Sequence, residues 1–285
     1  MLIPAIKSDW QLLFRPERHG NYINDHCVIK ANDGSWNLFG ITSLESRSDS
    51  ERYFVHAAGK SLTEPMTELE KVIDTGTRAW APCVVEHEGL YYMYFGPGET
   101  KMEVTNVLSH WMGHKINIKG NPVMAVNRDH MVIKNNGKWI MYASGLKDSY
   151  SCISVLESDN LIDWDFKGYA LTSSGSAPMN PPWGAFESPF VVKKDGLFYL
   201  FTTYTDCSHA SYHNTIVFCS ENPYNFGDYT AEKHSQMVMA ELHSHAGEIL
   251  EDNGKYYITS CGWRGYNSII EGGVAIAELD WTEKQ

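Results

Sequence analysis

The 285-residue sequence has no C-x-x-C pair, few basic side chains and no long apolar run, and each absence excludes a class of function. Lys and Arg total 23 against 35 Asp and Glu, a formal net charge of −12. Because nucleic-acid affinity rests on neutralising phosphates with a basic face, DNA, RNA and anionic membranes are not expected partners. Apolar runs reach only about five residues, as in Leu197 to Phe201, where a transmembrane helix needs ~20. The stretch from Met1 to Trp10 lacks a basic segment followed by an apolar one, so no signal peptide is read there. Cysteines 27, 83, 152, 207, 219 and 261, without paired spacing, read as buried free thiols, which points to the cytoplasm. Helical periodicity is scarce too: only Leu62, Met66, Leu69, Val72 and Ile73 approach a 3.6-residue period, and Pro65 interrupts them. At most a single turn is expected in that stretch.

Aromatic side chains, by contrast, are plentiful, with 9 Trp, 16 Tyr and 11 Phe, and 43% of residues are hydrophobic. That composition excludes a disordered or collagen-like chain and favours a β-rich core with clefts suited to flat or sugar-like ligands. The aromatics fall into a pattern that occurs five times: a polar start, a β-branched pair, an acid or amide, a glycine, then aromatic alternation. The copies begin at Asn24, Trp80, Arg128, Glu187 and His245, and their glycines are Gly34, Gly89, Gly137, Gly196 and Gly254. An acidic or amide residue followed by Gly supplies the positive φ of a tight hairpin, so each copy predicts two antiparallel strands. The spacing leaves room for a second, variable hairpin, as in Ile153 to Ser158 and Thr215 to Ser220. Five four-stranded units predict an all-β, five-bladed β-propeller running from residue 22 to about 281, one domain over 1–285.

A propeller turns the start of each innermost strand toward one axial mouth. At the aligned positions stand Asp25, Ala81, Asp129, Ser188 and Ala246, preceded by Asn24, Trp80, Arg128, Glu187 and His245. Asp25, Asp129 and Glu187 thus converge from three blades. Crowded like charges cost stability, so function explains them better than strand capping or a structural cation does. Glycoside hydrolysis needs such a set: one acid to protonate the leaving oxygen and a second carboxylate to activate water or attack carbon.

Asn24-Asp25, Trp80-Ala-Pro82, Arg128-Asp129 and Glu187-Ser-Pro189, each followed by a strand and a Gly turn, resemble the five-bladed propeller glycoside hydrolases of families 43 and 32 and their relatives. The resemblance covers essentially the whole chain. It implies that Asp25 is the general base or nucleophile, Asp129 an orienting and tuning group, and Glu187 the general acid. His26 and His130 replace the Pro that usually follows the two aspartates, and Ser188 replaces a Gly or Cys. Arg128-Asp129 and Asn24-Asp25 are similar to the fructoside-cleaving side. Trp80-Ala-Pro82 and Glu187-Ser-Pro189 are similar to the arabinoside- and xyloside-cleaving side, which favours inversion. The expected substrate is a small oligosaccharide or glycoside, with no organic cofactor. The alternative is a propeller that binds glycans without cleaving them.

Several residues carry two readings. His245 stands where related enzymes place a histidine near an axial calcium or other divalent cation, or it is a channel histidine; His243 precedes it on what reads as the same strand face. Trp80 and Trp183 either stack on a sugar ring or pack against blade neighbours. Arg264 either reaches a substrate from the rim or forms a surface ion pair. Tyr91, Tyr92, Trp139, Tyr256 and Tyr257 alternate as inter-blade packing requires.

Overall fold

The computed structural model describes residues 1–45, 50–120, 125–173, 185–206, 208, 210–266 and 268–283. Four of the five expected turns close two-residue hairpins, pairing His87 with Leu90, Asn135 with Lys138, Lys194 with Leu197 and Asp252 with Lys255. In each, both loop residues have positive φ, for example Asn136 at 50° and Gly137 at 81°, the geometry that matches the twist of the flanking strands. The first copy carries one extra residue and turns differently. There the Asp33 carboxylate accepts the Ser35 N–H at 2.9 Å, and only Gly34 is left-handed, at 86°.

Each hairpin is the inner half of an antiparallel blade. Blade 1 comprises Asn24–Lys30, Trp36–Ile41, Phe54–Gly59 and Thr67–Glu68; blade 2 comprises Trp80–His87, Leu90–Gly96, Lys101–Val107 and His110–His114. Blade 3 comprises Ala125–Asn135, Lys138–Lys147, Tyr150–Ser158 and Asp163–Thr172, with the short strands Asn117–Lys119 and Gly227–Asp228 added in parallel. Blade 4 comprises Phe186–Lys194, Leu197–Tyr204, Asn214–Ser220 and Ala240–His243; a 3-10 turn and a four-residue helix precede its last strand. No helix forms between Leu62 and Ile73, where the chain makes turns and the short strand Thr67–Glu68.

Blade 5 departs from the expected span. It comprises Ile249–Asp252, Lys255–Ser260 and Val274–Glu283, and its outer strand is Leu2–Ile6 from the other end of the chain, with Leu2 opposite Glu283 and Ile6 opposite Leu279. Gln11–Phe14 pairs with the same long strand nearer its start. The ring is therefore closed by residues 2–14, which the repeat count began too late to include. Those residues carry no Gly anchor, so nothing in their sequence marks them as belonging to the last unit.

Side chains on successive residues of a strand face opposite neighbours. In Leu90–Gly96, Tyr91, Met93 and Phe95 join Cys27, Phe39 and Phe54 of blade 1, while Tyr92 and Tyr94 join Val132, Met141 and Trp164 of blade 3. Five such apolar clusters fill the five seams between blades. Tyr91, Tyr92, Trp139 and Tyr257 are buried in them, and Tyr256 packs partly buried beside the seam between blades 4 and 5. Truncating a ring such as Tyr94, fully buried in its seam, should cost roughly 3–5 kcal/mol. Cys27, Cys83, Cys152, Cys219 and Cys261 are free thiols, all buried except the partly exposed Cys219; Cys207 lies outside the described residues.

Candidate active site

The five aligned positions share a backbone irregularity that builds the site. Asp25, Ala81, Asp129, Ser188 and Ala246, the aligned positions, all adopt left-handed φ, between 32° at Asp25 and 56° at Asp129. In blades 1 to 4 the strand register slips at this point: between Asn24 and His26, Trp80 and Cys83, Arg128 and Met131, and Glu187 and Phe190. Such a bulge leaves one residue unpaired and re-aims side chains. Four such bulges, with the left-handed turn at Ala246 just ahead of the first strand of blade 5, turn these residues toward the axis, where Asp25, Ala81, Asp129, Ser188 and Ala246 line one cavity. His26, Pro82, His130, Pro189 and Gly247 form the next layer, with Glu248 beyond.

Ser188 ties the two aspartates together. Its backbone N–H donates to Asp129 Oδ2 at 2.9 Å and its hydroxyl to Asp25 Oδ1 at 2.8 Å. The other oxygen of Asp25 accepts Asn24 Nδ2 at 3.0 Å. Arg128, buried, donates through Nη2 to Glu187 Oε1 at 2.8 Å and places Nε 3.5 Å from Asp129 Oδ1. One hydroxyl and one guanidinium therefore hold three carboxylates from blades 1, 3 and 4.

Burial dominates the proton affinities of all three. It raises Asp25, with Ser188 and Arg128 opposing and Glu51 adding, and it raises Asp129 against the pull of Arg128. Glu187 is pushed up to about 8, first by burial, with Arg128 opposing and Asp129 and Asp25 adding. Burial would lower the Arg128 guanidinium, but Asp129, Glu187 and Asp25 outweigh it, so Arg128 stays charged. The sequence marked Ser188 as an aligned position and a departure from pattern, and its role comes from the bond to Asp25. A charge-assisted hydrogen bond contributes about 1.5–3 kcal/mol. Ser188→Ala should therefore move the acidic limb of any kcat/KM profile to higher pH and reduce activity by about tenfold or more below neutrality, as pH-rate measurements would show.

The remaining expected residues divide. His245 lies at the mouth, near enough to Asp129 to feel its charge, and burial lowers its pKa to about 4. Its Nδ1 donates to the Cys261 carbonyl at 3.1 Å, which fixes the tautomer and leaves Nε2 as an acceptor without a partner among the described residues. Among the described residues no three His, Cys, Asp or Glu side chains gather as a cation's ligand set, so His245 has no companion ligands there. His243 does not share a strand face with His245: it ends the outer strand of blade 4, and the chain then crosses to blade 5. Trp80 begins the first strand of blade 2, partly exposed, with the Arg78 guanidinium 5.3 Å from its ring centroid. Arg264 is exposed on the rim and its Nε donates to the Asn21 carbonyl at 2.8 Å, so it clamps blade 5 to the entry of blade 1 outside the acid cluster. Trp183 lies outside the described residues.

An aromatic wall that the repeat pattern did not flag stands beside His245. Tyr212 packs 4.9 Å from the His245 ring, 5.3 Å from Trp263 and 5.5 Å from Tyr266. Deeper in the cavity, Glu248 Oε2 accepts the Val28 N–H at 2.6 Å, and burial raises its pKa from 4.5 to about 8. Between those values the folded chain holds a proton that the unfolded chain has lost, so stability falls as pH rises and the loss is complete above about 8. Glu248→Gln should flatten that decline, which thermal midpoints from about pH 5 to about pH 9 would reveal.

No protein-family model matches the chain, and no curated protein matches it by sequence. Solved structures do match. A thermostable family-43 glycoside hydrolase aligns with a TM-score of 0.66 at 16% identity, over 95% of this chain and 93% of its own. The Bombyx mori GH32 beta-fructofuranosidase BmSUC1 aligns with a TM-score of 0.64 at 13% identity over 98% of this chain, which spans 62% of that enzyme's length. The Cellvibrio cellulosa alpha-L-arabinanase, complexed with arabinohexaose, aligns with a TM-score of 0.59 at 15% identity over 84% of this chain and 86% of its own. Identities this low speak to architecture, and on that evidence the chain is built as the five-bladed propeller seen in glycoside hydrolases of families 32 and 43.

Proposed function

We propose that the protein is a glycoside hydrolase acting on a terminal or short-chain arabinoside, xyloside or fructoside. The observation that carries this reading is the network that ties Glu187 to Asp25 and Asp129, the two carboxylates lining the axial cavity. Ser188 joins the two aspartates, Arg128 joins Asp129 to Glu187, and Glu187 has its proton affinity raised to about 8. A carboxyl group that keeps its proton at neutral pH can act as an acid beside one that ionises. The neighbours in fold add support, since a beta-fructofuranosidase and an arabinanase are among them.

In the mechanism we infer, Glu187 donates its proton to the glycosidic oxygen as the bond to the anomeric carbon breaks. Asp25 removes a proton from a water whose oxygen attacks that carbon from the opposite face. Glu187 ends ionised and Asp25 protonated, and exchange with solvent resets both. Asp129 holds Arg128 and the Ser188 backbone in place and adds negative charge near the developing oxocarbenium ion. Inversion is favoured by the likeness of Trp80-Ala-Pro82 and Glu187-Ser-Pro189 to family 43.

The test is a screen of aryl arabinosides, xylosides and fructosides with matching oligosaccharides, followed by NMR of the first-formed anomer. Cleavage with inverted configuration is expected. A glycosyl adduct trapped on Asp25 would overturn inversion, and a glycan bound but never cleaved would overturn hydrolysis in favour of binding alone.

A further inference from the structure

Apart from the axial cavity, the outer part of blade 4 carries a hollow of about 430 Å³ whose lining includes His213, Asn214, Glu241 and His243. His213 immediately precedes the third strand of the blade, Asn214–Ser220, and His243 ends the fourth, Ala240–His243. Asn214 stands opposite His243 across the two strands, which brings the two imidazoles together: their ring centroids lie 4.1 Å apart with the planes at 51°. His243 is exposed and His213 partly buried, so the pair opens to solvent.

This pair differs from the buried histidines in what its nitrogens meet. His26, His56 and His130 engage Nε2 with Thr259, Asn37 and Thr100, and His245 engages Nδ1 with the Cys261 carbonyl. No ring nitrogen of His213 or His243 has a hydrogen-bond partner among the described residues, and Nδ1 of His213 is buried in that state. Imidazole is the commonest protein ligand for a metal ion, and one ion held about 2.0–2.1 Å from a nitrogen of each ring needs the two rings side by side, as they are here. Negative charge comes from the same strand. Glu241, two residues before His243 and exposed on the same face, also lines the hollow. Its Oε1 pairs with His234 Nε2 at 3.0 Å, and His234 Nδ1 pairs with Tyr229 Oη at 3.0 Å, a chain that holds the carboxylate in place. Among the described residues no three His, Cys, Asp or Glu side chains form a ligand set, so the two imidazoles are the protein donors, water completes the coordination, and Glu241 acts through that water.

We propose that His213 and His243 bind one divalent cation of the zinc, copper(II) or nickel class on the outer part of blade 4, with Glu241 as the outer carboxylate. Imidazole nitrogen selects these ions over calcium and magnesium, which take oxygen ligands. The site is separate from the axial acids and stands whether or not the protein cleaves glycosides. An ion held there staples the third strand of blade 4 to the fourth, so it binds the folded chain in preference to the unfolded one and raises its stability.

The test titrates zinc chloride, copper(II) chloride and calcium chloride into protein stripped of metal, by calorimetry and by thermal unfolding. Zinc and copper(II) should each bind at one ion per chain and raise the thermal midpoint, and calcium should do neither. The copper(II) complex should show two nitrogen ligands by electron paramagnetic resonance. Glu241→Gln should weaken zinc binding by about tenfold, as loss of an outer partner does. His213→Ala and His243→Ala should each weaken it further and leave a single nitrogen ligand on copper(II). His243 is exposed at the end of its strand, so its variant tests the site even if His213→Ala fails to fold. A wild type that binds neither ion, a copper(II) signal with one nitrogen ligand or none, or zinc bound equally by the wild type and the His243 variant overturns the proposal. Unchanged zinc affinity in Glu241→Gln removes Glu241 from the site.

Discussion

Asp25→Asn should abolish turnover while leaving sugar binding nearly intact. Loss of a general base costs about 10²–10⁴-fold in kcat, and a group acting mainly in the transition state shifts kcat far more than affinity. The local hydrogen bonds make this a clean substitution. Asp25 accepts from Ser188 Oγ and from Asn24 Nδ2, so an amide in its place can still accept from Ser188 while turning its NH2 toward Asn24. Asn24 Oδ1 has no partner among the described residues, so a flip of the Asn24 amide presents an acceptor to that new NH2. The thermal midpoint should therefore hold or rise, because burial disfavours the charge on Asp25 and the amide carries none. Single-turnover kinetics with calorimetric binding would check both halves. An Asp25→Asn protein that still turns over at a tenth of the wild-type rate would remove Asp25 from the chemistry.

How much of this site was legible in the sequence depends on how far each residue belongs to the repeat. Asp25, Asp129 and Glu187 were legible because five copies can be aligned on their glycines, and a propeller brings aligned positions to one axis. The bulges at those positions were not legible, since nothing in Ala81 or Ala246 signals a left-handed backbone; the ring imposes it on Asp, Ala and Ser alike. Ser188 was visible as a departure from pattern, but its hydroxyl acquires meaning only from its place beside Asp25. Tyr212 lies outside the repeat, in a connection of blade 4 whose course no periodicity encodes, and it meets the His245 ring at the approach to blade 5. The closing strand Leu2–Ile6 shows the same limit, because its partner lies some 270 residues away and strand pairing at that distance leaves no local mark.

Glu187→Gln offers the sharpest separation of roles, because a proton donor matters in proportion to the leaving group's need for it. On oligosaccharides and alkyl glycosides, whose leaving alkoxides are strongly basic, the substitution should lower kcat by about 10²–10⁴-fold. On nitrophenyl glycosides, whose leaving groups depart without protonation, much of the rate should survive. The pH dependence follows from the raised proton affinity. Glu187 must be protonated to act, and its pKa is about 8, so wild-type activity should decline as pH rises through that value. Asp25 must be ionised, and its raised pKa places the acidic limb above the ordinary carboxylate range. A bell results, and in Glu187→Gln its alkaline limb should disappear for nitrophenyl substrates while the acidic limb stays in place. The amide oxygen can still accept Arg128 Nη2, so Arg128 and Asp129 keep their positions and the loss measures the proton rather than the fold. An alkaline limb that persists unchanged in Glu187→Gln would assign the acid to another residue, and equal losses on alkyl and nitrophenyl glycosides would show Glu187 to be a binding group instead.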